Sequence, residues 1–176
     1  DALILGTVSF DGLSDLVRQT SRRMPVLATI NDIANDGISA KVGVSWYDMG
    51  RLIGEYLVAR DPAEGPPIPI AWFPGPRDAG WVPFVDRGFR DAIRNSRVTI
   101  ATVGWGDTDK AVQRNLVQST LDNHPKVRYL VGNALMAEAA ISVLRERGLQ
   151  EKTAIVSTYF TPGVYRGILR GRILAA

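Results

Sequence analysis

Trp46 stands where a short extended apolar segment, residues 42–44, hands over to a helix, and Tyr47 follows it directly. In open α/β sheets small molecules bind outside the carboxyl ends of the strands, so an aromatic pair at this exit stands where a ligand would be met. The alternative is structural: Trp46 as a hydrophobic staple beside the helix N-terminus. Position alone leaves both readings open.

The other strand-to-helix transitions carry Ser9 and Phe10, Asn31 and Asp32, Trp81, Asn133, and Tyr159 and Phe160. This set is rich in aromatic rings and poor in paired charges. A cleft lined in that way suits a small cationic or methylated group, held by cation–π contact worth about 0.5–2 kcal/mol per ring. It suits a polyhydroxylated sugar poorly, because hydroxyls need carboxylates, amides and guanidinium groups.

Catalytic constellations are missing. Residues 75–80 (Gly-Pro-Arg-Asp-Ala-Gly) have Walker-like spacing without the Gly-Lys-Ser/Thr that follows it in a phosphate loop, and read as a turn. No serine occupies Gly-x-Ser-x-Gly. His124, before Pro125, reads as the end of a helix, and Asp107 and Asp109 as ordinary caps at a helix start. Without cysteine the chain has no disulfide and no thiolate ligand, and its one histidine argues against a histidine-rich metal site. The expectation is a non-enzymatic protein without metal or cofactor.

The elements that position these residues alternate in type. Strands are predicted at residues 2–5, 25–30, 42–44, 68–73, 98–103, 127–131 and 153–157, with a further strand beginning at 173–176. Leu13, Leu16 and Val17 mark a first helix. Met49, Leu52, Ile53, Tyr56 and Leu57 recur at helical spacing after Trp46, with Ser45 and Asp48 as a capping box. Residues 61–67, with three prolines and a glycine, stop that helix. Helices follow at 80–95, 108–123 and 134–147, and Thr161 with Pro162 opens a last short one. Strands alternating with helices of this length mean βαβ units: a parallel sheet with helices on both faces.

Composition bounds the rest. At 176 residues and 45% hydrophobic, the chain can bury a core. No run approaches the roughly 18–20 apolar residues of a membrane span. The +3 charge comes from basic residues scattered along the chain rather than interleaved with aromatics, which disfavours a nucleic-acid surface.

Longer stretches carry a family resemblance. The segments Ala71-Trp72-Phe73-Pro74-Gly75-Pro76-Arg77-Asp78-Ala79-Gly80, Asp86-Arg87-Gly88-Phe89-Arg90-Asp91-Ala92-Ile93, Asn123-His124-Pro125-Lys126-Val127 and Gly132-Asn133-Ala134-Leu135-Met136-Ala137 resemble, in that order, the type I periplasmic binding proteins. The resemblance implies a two-lobed α/β fold with parallel sheets. Where sugar binders of the family carry charged ligands, this chain has Pro83 nearby, Ala134 and Tyr159.

A closer resemblance is to the members of that family that sense trimethylamine N-oxide (TMAO). It is carried by Val42-Gly43-Val44-Ser45-Trp46, Met49-Gly50, Gly75 to Gly80, Gln113-Arg114-Asn115-Leu116, Ala137-Glu138-Ala139-Ala140, Val164-Tyr165-Arg166-Gly167 and Gly171-Arg172. It implies a periplasmic receptor for TMAO or a similar methylated amine oxide, reporting to the sensor domain of a partner histidine kinase.

By motif position Trp46 and Tyr159 correspond to two members of an aromatic ligand box. Trp81 and Asn31 are secondary candidates, Asn31 as a polar partner in the opposite lobe. The family pattern puts residues 1–44 in one lobe and 45–176 in the other. It starts the chain at that first lobe's second strand, so weak TMAO binding is expected of this stretch alone. A sugar-type transport receptor and a LacI-type effector-binding core are the related alternatives. An α/β enzyme is the unrelated one.

Overall fold

The computed structural model describes residues 1–61 and 64–176. The predicted stop at residues 61–67 falls partly on Pro62 and Ala63, which lie outside the described residues; the helix before it ends at Arg60. The strands form two parallel sheets. β1 (Leu3–Leu5), β2 (Val26–Ile30) and β3 (Ala40–Gly43) form the first in the order β1-β2-β3, with α1 (Ser14–Ser21) between β1 and β2. After α2 (Trp46–Arg60) come β4 (Ile68–Gly75), α3 (Val82–Ile93), β5 (Val98–Trp105), α4 (Lys110–Asn123), β6 (Tyr129–Gly132), α5 (Ala134–Arg147), β7 (Ala154–Ser157) and α6 (Pro162–Leu169). Their sheet runs β5-β4-β6-β7, the parallel α/β arrangement that the alternation demands.

The second sheet is buried on both faces, so β4 reads as a nearly continuous apolar run. Successive side chains point to opposite faces. Trp72 joins the core under α2 and α3 with Leu57, Ile70, Val85 and Phe89, whereas Ala71 and Phe73 join the core under α4, α5 and α6 with Val117, Leu130 and Met136. A smaller core of Val17, Val26, Ala28 and Ile33 holds the first sheet to its helix. α2 and α3 meet at glycines: a Cβ on Gly50 would lie 2.1 Å from the Val85 carbonyl oxygen, and one on Gly88 2.0 Å from that of Tyr47. Only glycine allows so close a backbone approach.

Several boundaries differ from the sequence reading. β3 comprises Ala40–Gly43 rather than 42–44, and it is exposed throughout. Among the described residues it pairs on one side only, with β2, and Val42 is 69% exposed. β4 extends through Pro74 to Gly75, with a register shift against β5 between Trp72 and Gly75, the irregularity that accommodates a residue without an N–H. α4 starts at Lys110 because Asp109 accepts from the Ala111 and Val112 amides at 2.8 and 3.0 Å. The capping box is half made: Ser45 Oγ accepts from the Asp48 amide at 3.1 Å, while the Asp48 carboxylate takes the Arg51 guanidinium. At the end, residues 173–176 contribute one bridge, Val156 to Ala175, rather than a strand.

Candidate functional site: an aromatic cluster on an inter-sheet cleft

Trp46 is the first residue of α2, placed by the Ser45 cap immediately beyond the carboxyl end of β3. Its ring lies between two others. Trp81 packs against it at 4.8 Å between centroids with 31° between planes, and Tyr159 meets it edge-on at 6.4 Å and 87°. Trp81 follows β4, Tyr159 follows β7, and Trp46 precedes the helix that packs on α3, so three separate chain exits converge on one ring.

The three rings are not equivalent. Trp81 belongs to the core at 7% exposure, lying over Gly75, which has a positive φ of 129° and where a Cβ would sit 2.5 Å from the indole. It backs Trp46 rather than lining open space. Trp46 and Tyr159 are half-buried. Burial pushes the Tyr159 hydroxyl above its usual pKa; a backbone hydrogen bond at Ala134 opposes this and the Glu138 charge adds to it. The phenol is therefore neutral across the physiological range.

Trp46 lines a cleft of about 320 Å³ with Asn31, Asp32, Lys41, Val44 and Phe84 among its other walls. Asn31 reaches it from the end of β2, and its Nδ2 donates to the Thr7 carbonyl at 2.8 Å. Ile30, just before it, has a φ of 70°, and the Asn31 amide donates to Thr29 O at 2.9 Å. A β-branched residue in that conformation is strained. Strain of this kind clusters at ligand sites.

The indole Nε1 of Trp46 is buried and has no hydrogen-bond partner among the described residues. An orphaned buried donor costs about 1–3 kcal/mol.

Trp46 and Asn31 therefore share the cleft, and Trp81 and Tyr159 join Trp46 from the side of the second sheet. The remaining transition residues do other work. Asn133 is fully buried and caps α5, its Oδ1 accepting from the Met136 amide at 2.9 Å. Ser9 Oγ accepts from the Gly12 amide at 2.9 Å. Phe10 lies 6.0 Å from Phe84 beside a Gly80 to Val8 backbone hydrogen bond of 2.9 Å, which ties the loops of the two sheets together.

Lys41 also lines the cleft, and no local sequence pattern marks it. Its ammonium pairs with Asp32 at 2.6 Å on the cleft wall, so the cleft is not free of paired charge. Only the one-residue register of β2 against β3, Ala28 opposite Lys41, brings that side chain there.

Residues 1–172 match the family model described as periplasmic binding proteins and sugar binding domain of LacI family. The chain belongs to this family.

Among the family's curated proteins, periplasmic protein TorT of Escherichia coli (strain K12) is 38% identical over 176 residues, all of this chain and 50% of TorT. The chain thus spans about half the length of the curated relatives it matches. Two solved structures are similar. One is the complex of the TorS sensor domain with TorT in the presence of TMAO: TM-score 0.86, 38% identity, covering 98% of this chain and 58% of that one. The other is an ABC transporter solute binding protein from Bradyrhizobium sp. BTAi1 with bound Bis-Tris: TM-score 0.82, 43% identity, covering 98% and 52%.

Among the described residues no helix is long and apolar enough to cross a membrane, and no acidic or histidine cluster suits a metal ion.

Proposed function

We propose that this chain is part of a two-lobed periplasmic receptor, residues 1–44 belonging to one lobe and 45–176 to the other, that binds TMAO or a similar methylated amine oxide. In this reading the receptor reports ligand to the sensor domain of a TorS-like histidine kinase and catalyses nothing itself. The observation that carries it is Trp46: a half-buried ring on a cleft, flanked by Trp81 and Tyr159, with a buried N–H lacking an acceptor. A methylated amine oxide offers both things such a site lacks. Its electron-poor methyl groups seat against ring faces, and its oxygen accepts a hydrogen bond.

Asn31 and the Lys41–Asp32 pair supply the polar side of the same cleft. The likeness to TorT, whose complex with the TorS sensor domain was solved in the presence of TMAO, supports both ligand and partner.

Binding across two lobes shifts an open–closed equilibrium only as far as ligand prefers one state, and a kinase domain would read that shape. TMAO has about five heavy atoms, so at a ceiling near 1.5 kcal/mol per atom its affinity reaches low micromolar at best. Thermal denaturation of the full-length protein with TMAO, ribose and galactose tests the reading, since a ligand of the native state raises the melting temperature by mass action. A rise with TMAO and none with either sugar is expected; a rise with sugars alone refutes it.

A second reading, a transport receptor, draws on the 43% identical solute binding protein. Absence of any complex between the liganded full-length protein and a kinase sensor domain favours it.

A further inference from the structure

We propose that the groove between α5 and α6 is a docking surface for an acidic helical segment of a protein partner. It is lined by Lys110, Arg145, Arg166, Arg170 and Arg172 around a single carboxylate, Glu138. Five cations against one anion exceed the +3 of the whole chain.

Seven arginines elsewhere, Arg18, Arg51, Arg87, Arg90, Arg94, Arg114 and Arg147, pair with Asp or Glu. The five groove cations have no carboxylate partner among the described residues, and all are exposed. Glu138 is already engaged, accepting from Thr161 Oγ1 at 2.8 Å.

The floor is narrow because α6 rides close on its neighbours. A Cβ on Gly163 would meet the Glu138 carboxyl carbon at 2.2 Å, and one on Gly167 the Ile173 side chain at 2.5 Å. Arg166 on α6 and Arg170, the residue that caps its carboxyl end, are four apart and stand about one helical turn from each other, a spacing that two carboxylates four apart on a facing helix would match. Beside them α6 exposes Tyr165 and Leu169, and Phe160 leans on Tyr165 at 5.7 Å. Unmatched arginines beside exposed aromatics are the composition of a protein-binding surface, whereas a small anion would use the charges and leave the rings idle. Phe160 directly follows Tyr159, so the same loop touches both the aromatic cluster and this surface.

The test uses the full-length protein and a labelled amphipathic helical peptide bearing glutamates at four-residue intervals and leucines on the adjoining face, followed by fluorescence anisotropy. Arg166→Glu with Arg170→Glu should weaken binding by at least about tenfold, and raised salt should weaken the wild type as well. Arg22→Glu with Arg23→Glu, exposed positions just beyond α1, changes the net charge equally and should leave binding unchanged. Circular dichroism of each variant checks the fold.

No peptide binding, equal loss in both double variants, or a groove that takes only inorganic pyrophosphate or phosphatidylglycerol vesicles would overturn the proposal. It does not depend on the receptor's ligand, so a failed TMAO test and a failed peptide test are separate results.

Discussion

Trp46 and Trp81 lie 4.8 Å apart, yet one lines a cleft and the other is 7% exposed in the core. The pair makes the second sheet's core the support on which a ligand-facing ring is held. Residues that fix this geometry should therefore affect binding without touching ligand, and residues of the same core whose rings contact neither indole should affect stability alone.

Trp72 is the control for that distinction. It is fully buried, stacks on Phe89 at 4.1 Å and 11°, and donates its indole N–H to Asp86 at 2.8 Å. Trp72→Ala should cost about 3–5 kcal/mol in chemical denaturation while leaving the TMAO affinity of the folded fraction close to wild type.

Gly88 tests the support directly. Its missing Cβ lets the Tyr47 carbonyl of α2 approach α3, one residue after Trp46. Gly88→Ala forces the helices apart. Overpacking of this kind costs about 1–3 kcal/mol, and the shift of α2 should weaken TMAO binding in the same protein. A variant with unaltered stability would mean that the approach is not tight.

Much of this arrangement is legible from the residue pattern. The alternation of apolar stripes and strands, with Thr161-Pro162, Asp109 and Ser45 as caps, predicts nearly every element of the second sheet, because local period and cap chemistry carry that information. β3 is not legible in detail: Val42 and Val44 look like core residues and are exposed, since edge pairing is decided by topology rather than type. Likewise Trp46 and Trp81 are alike as letters at strand exits, and only packing against Gly75 tells which is buried. The Lys41–Asp32 pair joins positions nine apart across a strand pairing, beyond the reach of a local pattern.

Ile30 offers a test of stored strain. Its φ of 70° is unfavourable for a β-branched side chain but tolerable for asparagine, and Ile30 is 70% exposed, so little packing is lost on replacement. Ile30→Asn should leave stability unchanged or raise it by up to about 1 kcal/mol in thermal melts. A loss of several kcal/mol would show that the backbone there is relaxed.

The tyrosines set a pH limit. Burial raises the pKa of Tyr159, and burial with the hydrogen bond to Asp61 raises that of Tyr129, whose hydroxyl donates to Asp61 at 2.8 Å. Folding thus favours the protonated form of both. Their contribution is complete below the unfolded pKa of about 10 and is lost as pH rises through the higher folded values, because the unfolded chain releases those protons first. Melting temperature should be insensitive to these groups near neutrality and fall above about pH 10, and Tyr159→Phe should soften that fall.

The central claim, that the cluster around Trp46 takes the ligand, is tested most directly by calorimetric titration of TMAO into the full-length protein and its Trp46→Ala variant. The account predicts saturable binding to the wild type, no tighter than low micromolar, and a loss of about tenfold or more in a variant that still folds. A folded Trp46→Ala protein that binds TMAO with unchanged affinity would contradict it.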